Sequence, residues 1–400
     1  VSIVLISGDL SNNGETASHL EFVEKLHRLK SSGKRIFVIT ATHDYGLREL
    51  TNGDNRDAKK AVTIRSELRC LYNDFGFDEA IAEYTDKLSY VAQLAPGFRL
   101  LALNDDGDGK TFCGYNEAQL TWILEQIKSA QDAGEYIFAM THHPVLPPSP
   151  IYPLMSKRDM LGDYENTSTI LADAGLNFVF TGHTHMQHIG LKTTEKGNKL
   201  WDINTGSLVG YPTPIRHVVL DEEKMTITTE KIDTFDWDFK GISMEQYLIG
   251  NFDSLLNDIF DSMAFDFERF VGLAGSFSLE REKAVKLKIP IKLAGKVMQK
   301  LTLGKAGRLL FVSRKIDKSV KNTLVKDLVI ECVRNIFSGE QPYCPGTPMY
   351  AAIMALLGRL KRSARHFGKD NEILSDLPTF VESIICDGKP NSNAVLYYKR

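Results

Sequence analysis

Four short apolar runs, each breaking off in a cluster of histidine and aspartate, constrain this chain more than any other feature. They end in Gly8-Asp9-Leu10-Ser11-Asn12-Asn13-Gly14, Ala41-Thr42-His43-Asp44, Thr141-His142-His143-Pro144 and Gly182-His183-Thr184-His185. Alternate residues of an extended segment point the same way, so His183 and His185 can reach one locus where a strand gives way to a loop. A lone His-x-His is a weak sign, because two histidines on one strand face are more often packed or solvated. Its weight comes from Asp9, His43 and His142 upstream. In open α/β sheets ligands bind outside the carboxyl ends of strands, and all four clusters fall at such ends. Imidazole with carboxylate suits a borderline divalent metal.

Around these clusters the chain alternates strand and helix patterns up to about residue 231. The period of the apolar residues predicts strands at Val1–Ser7, Arg35–Thr40, Phe98–Asn104, Tyr136–Thr141 and Asn177–Thr181. It predicts helices at Glu15–Ser31, Ala61–Tyr72, Asn116–Ala130 and Ser168–Ala174. Short strands without helices follow at His188–Lys192, Lys199–Asn204, Ile215–Leu220 and Met225–Lys231. This reads as an α/β layered sandwich over 1–234. From there the strand texture fades, and Met244–Phe260, Lys292–Leu301, Lys318–Phe337, Pro348–Lys361 and Leu374–Ile385 carry helical spacing. Residues 235–400 are expected to form an added, mainly helical C-terminal domain.

Charge is segregated in that second part. Ile232–Glu268 holds nine acidic residues against one lysine, and Lys283–Lys321 holds twelve lysines and arginines against Asp317 alone. The plain reading is that these segments face each other or are solvated helix faces. An anionic partner is the alternative, and membrane contact through 283–321 is not the expectation. A net charge of -3 and a pI near 6.4 provide no reason to expect specific nucleic-acid binding. No apolar run is long enough to span a bilayer. Five scattered cysteines, Cys70, Cys113, Cys332, Cys344 and Cys386, with no Cys-x-x-Cys pair, favour free thiols over a disulfide. The chain opens inside a strand with no initiator Met, which reads as a fragment, a processed form or an engineered piece. Its cellular address is correspondingly open, with the cytoplasm favoured slightly over export.

In order and spacing, Gly-Asp before an Asn-rich turn, then His-Asp, His-His-Pro and Gly-His-Thr-His resemble the calcineurin-like metallophosphoesterase superfamily over roughly residues 1–231. The run Ile6–Glu15 is similar to a bacterial branch described as cyclic-nucleotide-phosphodiesterase-like, some members of which carry an extra helical domain. The resemblance implies an α-β-β-α sandwich and two divalent metal ions, Mn, Fe or Zn. It implies that Asp9 bridges the two metals, that His142 and His183 ligate the second, and that His185 ligates the first. It implies further that His43 assists the leaving oxygen and that Asp44 orients His43. The implied substrate is a small phosphorylated molecule, attacked in line by metal-activated water. A diester or cyclic nucleotide is favoured narrowly over a monoester.

Two departures from the family pattern stand out. The usual Asp-x-His strand ahead of Gly8-Asp9 is missing, which leaves the first metal with Asp9 and His185 alone. The usual Gly-Asn is Ala41-Thr42, so the hydroxyl of Thr42 stands where an amide oxygen would ligate the second metal. These departures keep a rival reading open, a metal-deficient relative that binds phosphorylated ligands or a partner without turnover. His143 reads as a supporting or surface residue. His19, His27, His188 and His217 read as packed or solvated. Asp105 and Asp106 follow a strand that points toward the site but are left out of it, and Tyr45 and Tyr152 read as packing.

Overall fold

The computed structural model describes residues 2–46, 61–107, 113–275, 281–366, 372–386, 388–389 and 391–398. Val1, where the first strand is expected to begin, lies outside them. The chain begins with β1 (Ile3–Ser7), α1 (Thr16–Ser31) and β2 (Arg35–Ile39). β1 and β2 are parallel with Ser7 opposite Ile39, so Gly8-Asp9 and Thr40-Ala41 leave the sheet side by side. Next come α2 (Arg65–Leu71), β3 (Ala80–Tyr84), β4 (Ser89–Ala95), β5 (Phe98–Ala102), α3 (Glu117–Asp132) and β6 (Tyr136–Met140). The short α4 (Tyr152–Met155) precedes α5 (Tyr164–Asp173), β7 (Phe178–Thr181), β8 (His188–Thr193) and β9 (Lys199–Asn204). β3 to β9 form a seven-stranded sheet in the order β3-β4-β5-β6-β7-β9-β8. Its parallel centre sets Ala102 beside Met140 and Met140 beside Phe180, so the clusters that follow β6 and β7 emerge at one edge.

Alternation across the strands builds two apolar layers, one on each face of this sheet. Leu100, Phe138 and Phe178 point inward and meet Ile36 and Val38 of β2. Their neighbours Leu101, Ala139 and Val179 point outward, onto Ile123 and Ile127 of α3 and Leu171 of α5. Val23, Leu26 and Leu29 bring α1 into the inner layer. The result is the layered α-β-β-α sandwich. β3 and β4 carry no clear strand signal in sequence, since Ala, Glu and Gln are poor strand formers; antiparallel pairing of β4 with β5, and of β3 with β4, makes them strands. α2 starts at Arg65 rather than Ala61, because Val62 bridges to Glu15.

After β10 (Pro214–Leu220) and β11 (Lys224–Lys231) the helices begin: α6 (Met244–Phe265), α7 (Phe267–Gly275), α8 (Arg281–Lys286), α9 (Lys288–Met298) and α10 (Leu303–Leu309). They continue as α11 (Val325–Ser338), α12 (Pro348–His366) and α13 (Glu372–Ile385). Ser243 and Gln246 form a capping box on α6, each side chain accepting the other's backbone N–H at 3.1–3.2 Å. The chain then returns. β12 (Ala394–Tyr397) adds to β11 with Leu396 opposite Met225, and Tyr398 stacks 4.6 Å from Tyr136 in the sandwich core. Half-buried Arg216 ties this return down by donating to the carbonyls of Asn204 at 2.8 Å and Asn391 at 2.9 Å. The helices therefore lie between β11 and β12 in the chain, within the span expected to be mainly helical. A four-residue strand is too short to register as a period in sequence.

Two further expectations change. Cys344 and Cys386 form a disulfide, contrary to the free thiols expected of scattered cysteines. One lies ahead of α12 and the other just after α13, and the two helices pack together, which brings their outer ends within 4.9 Å between Cα atoms. The oppositely charged segments do pack, α9 on α6, but backbone against backbone rather than charge against charge: a Cβ on Gly295 would sit 2.6 Å from the Ala264 nitrogen. The α6 acids pair elsewhere, Asp253 with Arg334 at 2.6 Å and Asp261 with Lys326 at 3.8 Å.

Candidate metal centre

Ser7 ends β1, and its carbonyl accepts Nδ1–H of His142 at 2.6 Å. With the proton held there, Nε2 of His142 carries a lone pair and faces Oδ2 of Asp9 and Nδ1 of His183, each at 3.1 Å. The ligand atoms of Asp9, His142 and His183 lie within 4.8 Å of one another. Three electron-pair donors face one another at this point. A cation between them resolves that arrangement. Oδ1 of Asp9 adds to the case, since it is buried without a hydrogen-bond partner. The donor set, one carboxylate and two imidazoles, fits a borderline divalent metal.

Burial pushes the Asp9 carboxyl up, but His142, His43 and His183 outweigh it and hold it at about 2. Burial, reinforced by His143 and His142, drives His183 down to about 2, so its imidazole is neutral and able to ligate. The backbone is strained where the ligands sit: Asp9 at φ 53° and His183 at φ 62° are left-handed, and so is His185 at φ 58°. Gly8, at φ 90°, is required as glycine, because a Cβ there would lie 2.8 Å from Nδ1 of His142 and 2.9 Å from Cβ of Ala41.

His185 is exposed and outside the three-residue group, yet close enough to feel the charges of Asp9 and His43. Thr42 opens a 3-10 turn, Thr42–Asp44, and among the described residues no hydrogen bond joins it to the group. His43 is exposed on the rim, with Nδ1 donating to the Asn12 carbonyl at 2.7 Å. Asp44 does not orient that imidazole as expected. Its buried carboxylate accepts the backbone N–H of Ser11 at 2.9 Å and of Ala41 at 2.8 Å, tying the first two clusters together. The reason is reach: Asn12 takes the ring nitrogen, while Asp44 points into the sheet end. Burial pushes its carboxyl up to about 7 against those two amides.

Several supporting residues lie beyond the expected site. Asp105 is buried, accepting His143 Nδ1–H at 2.9 Å, the His143 backbone N–H at 2.7 Å and the Thr141 hydroxyl at 2.8 Å. The His143 ring in turn packs 4.1 Å from that of His183. Asp106 instead pairs with Arg65 at 2.8 Å. On β9, Asp202 accepts the N–H groups of Val145 and Leu146, both at 2.8 Å, and Asn204 donates to the Gly182 carbonyl at 2.7 Å. The available signal was Asp-x-Asn at the end of an apolar strand, where period two puts both on one face. Tyr152 is buried in the outer core, while His19 bridges the Tyr72 hydroxyl at 2.6 Å and the Asp44 carbonyl at 2.9 Å.

A family model described as calcineurin-like phosphoesterase matches residues 1–187, a stretch that contains all four clusters. Among solved structures the chain is similar to a dimetal phosphatase from Danio rerio, at 15% identity and a TM-score of 0.39, over 58% of this chain and 81% of that one. No curated protein matches the chain.

Proposed function

We propose that the chain is a metal-dependent phosphoester hydrolase of the calcineurin-like kind, a reading supported by the family match over residues 1–187, and that it acts on phosphodiesters, with cyclic nucleotides as the narrower candidate. The observation that carries the reading is the facing set of Asp9, His142 and His183 around an unpartnered Asp9 oxygen. Those three would hold one divalent cation, and Asp9 with His185 would contribute to a second. When bound, such cations supply Lewis acidity, lowering the pKa of water and offsetting phosphate charge. Asp9 is suited to serve both, since Oδ2 faces His142 while Oδ1 has no protein partner. His142 is held to one tautomer by Ser7, and His183 is backed by His143 and Asp105. His43, exposed on the rim, passes a proton to the departing oxygen. Asp44 keeps its loop in place.

Elemental analysis with hydrolysis of bis(p-nitrophenyl) phosphate in added Mn tests this. Near-stoichiometric metal and turnover that Asp9→Asn abolishes are expected, with kcat/KM higher on the diester than on p-nitrophenyl phosphate. Preference for the monoester would move the substrate class. One observation favours a second reading: among the described residues His185 stands outside the group formed by Asp9, His142 and His183. Phosphate binding without turnover in excess Mn would support a binding protein instead.

A further inference from the structure

α9 turns one face inward, with Gly295 on the α6 backbone and Ile291 packed against the Phe267, Phe270 and Val271 cluster. Its opposite face is apolar and uncovered. Ile289, Leu293 and Val297 recur at every fourth residue and are 82%, 63% and 47% exposed. Lys288, Lys292 and Lys296 each precede one of them, so a lysine stripe runs along the apolar one. Among the described residues no carboxylate pairs with these three or with Lys286 and Lys300, because the acids of α6 pair with Arg269, Lys326 and Arg334. Further along the same basic run, Leu309 and Phe311 are also exposed, between Arg308 and Arg314.

We propose that this face of α9 docks the protein peripherally on an anionic phospholipid surface. Apolar side chains on the ridge enter the acyl boundary while flanking lysines stay at headgroup level, the arrangement of an interfacial helix. Charge complementarity selects an anionic surface. The size of the patch selects lipid over protein, since three side chains on one convex helix fall far short of the ~800 Å² per partner that a stable protein interface buries. A bilayer needs no shaped groove, and each lysine near it strengthens binding about fivefold. None of the described helices is long and apolar enough to cross a membrane, so the contact is with the surface only.

Sedimentation of the full chain with phosphatidylcholine vesicles, with and without phosphatidylserine, tests the proposal. Binding is expected only with phosphatidylserine, and it should weaken as salt rises. Lys292→Gln and Lys296→Gln should each weaken it about fivefold, and the pair Ile289→Glu with Leu293→Glu should abolish it. The lysine variants leave every packed atom in place, so they read the surface even if the apolar pair perturbs α9. Failure to bind phosphatidylserine vesicles at low salt would overturn the proposal. Salt-insensitive binding would do the same, as would a dimer in sedimentation velocity that the Ile289→Glu, Leu293→Glu pair dissolves.

Discussion

Gly8→Ala separates the geometry of the centre from its chemistry, because it changes no ligand. The added methyl would stand 2.8 Å from Nδ1 of His142 and 2.9 Å from Cβ of Ala41. Reaching an unstrained contact of ~3.5 Å moves the imidazole by roughly 0.7 Å. Ala41 cannot give way instead, since it is buried and its N–H is held by Asp44. The move also lengthens the 2.6 Å bond to Ser7 that sets the His142 tautomer. Left-handed backbone costs an alanine about 1–2 kcal/mol, and overpacking adds about 1–3 kcal/mol. Displacing a ligand's support lowers metal affinity by about 10–100-fold. Gly33→Ala is the control: its φ is 87° but nothing lies within 4 Å of the new methyl, so it carries the backbone strain alone. Metal titration followed by calorimetry, with denaturant unfolding of both variants, reads the difference. Gly33→Ala should lose stability and keep its metal affinity, while Gly8→Ala loses both. If Gly8→Ala bound Mn as tightly as the parent, the packing argument for the centre would be wrong.

His43→Ala should lower kcat about 100-fold on an alkyl phosphodiester and far less on a p-nitrophenyl diester, whose leaving group needs no proton; equal losses would remove His43 from that role. Burial pushes Asp105 up but His143 outweighs it, leaving the carboxyl at about 2. A depressed carboxyl stabilises fully above its unfolded pKa of about 3.9, and that contribution is lost as pH falls through the folded value. Asp105→Asn should therefore cost about 3–5 kcal/mol at pH 7, with the gap to the parent narrowing by about 2 kcal/mol toward pH 2 in urea unfolding. A gap independent of pH would refute the ion pair with His143. Reducing Cys344–Cys386, which spans 42 residues, should cost about 4 kcal/mol by chain entropy, read as a lower denaturant midpoint in dithiothreitol that Cys344→Ser reproduces. An unchanged midpoint would mean the helical pair is held by packing alone.

Much of the fold was written locally. Continuous apolar runs such as Ile36–Ile39 are what a strand buried on both faces requires, and the i, i+3, i+4 spacing of α1 and α3 is what a covering helix requires. The candidate centre was legible for the same reason. Asp9, His142 and His183 follow apolar strands directly, and parallel pairing delivers such ends to one edge. What stayed hidden depends on partners distant in sequence. β4 is a strand because β5 pairs with it, and β3 because β4 does, while β12 exists because β11 offers an edge 167 or more residues earlier. Cys344 meets Cys386 only after two helices pack, and Asp44 and Asp105 take their partners only once separate loops converge. A period in the sequence reports which face of an element is apolar, and that much the chain determined by itself. Which polar group receives a proton, or which lysine is left without a carboxylate, is decided by distances that close only when the layers stack.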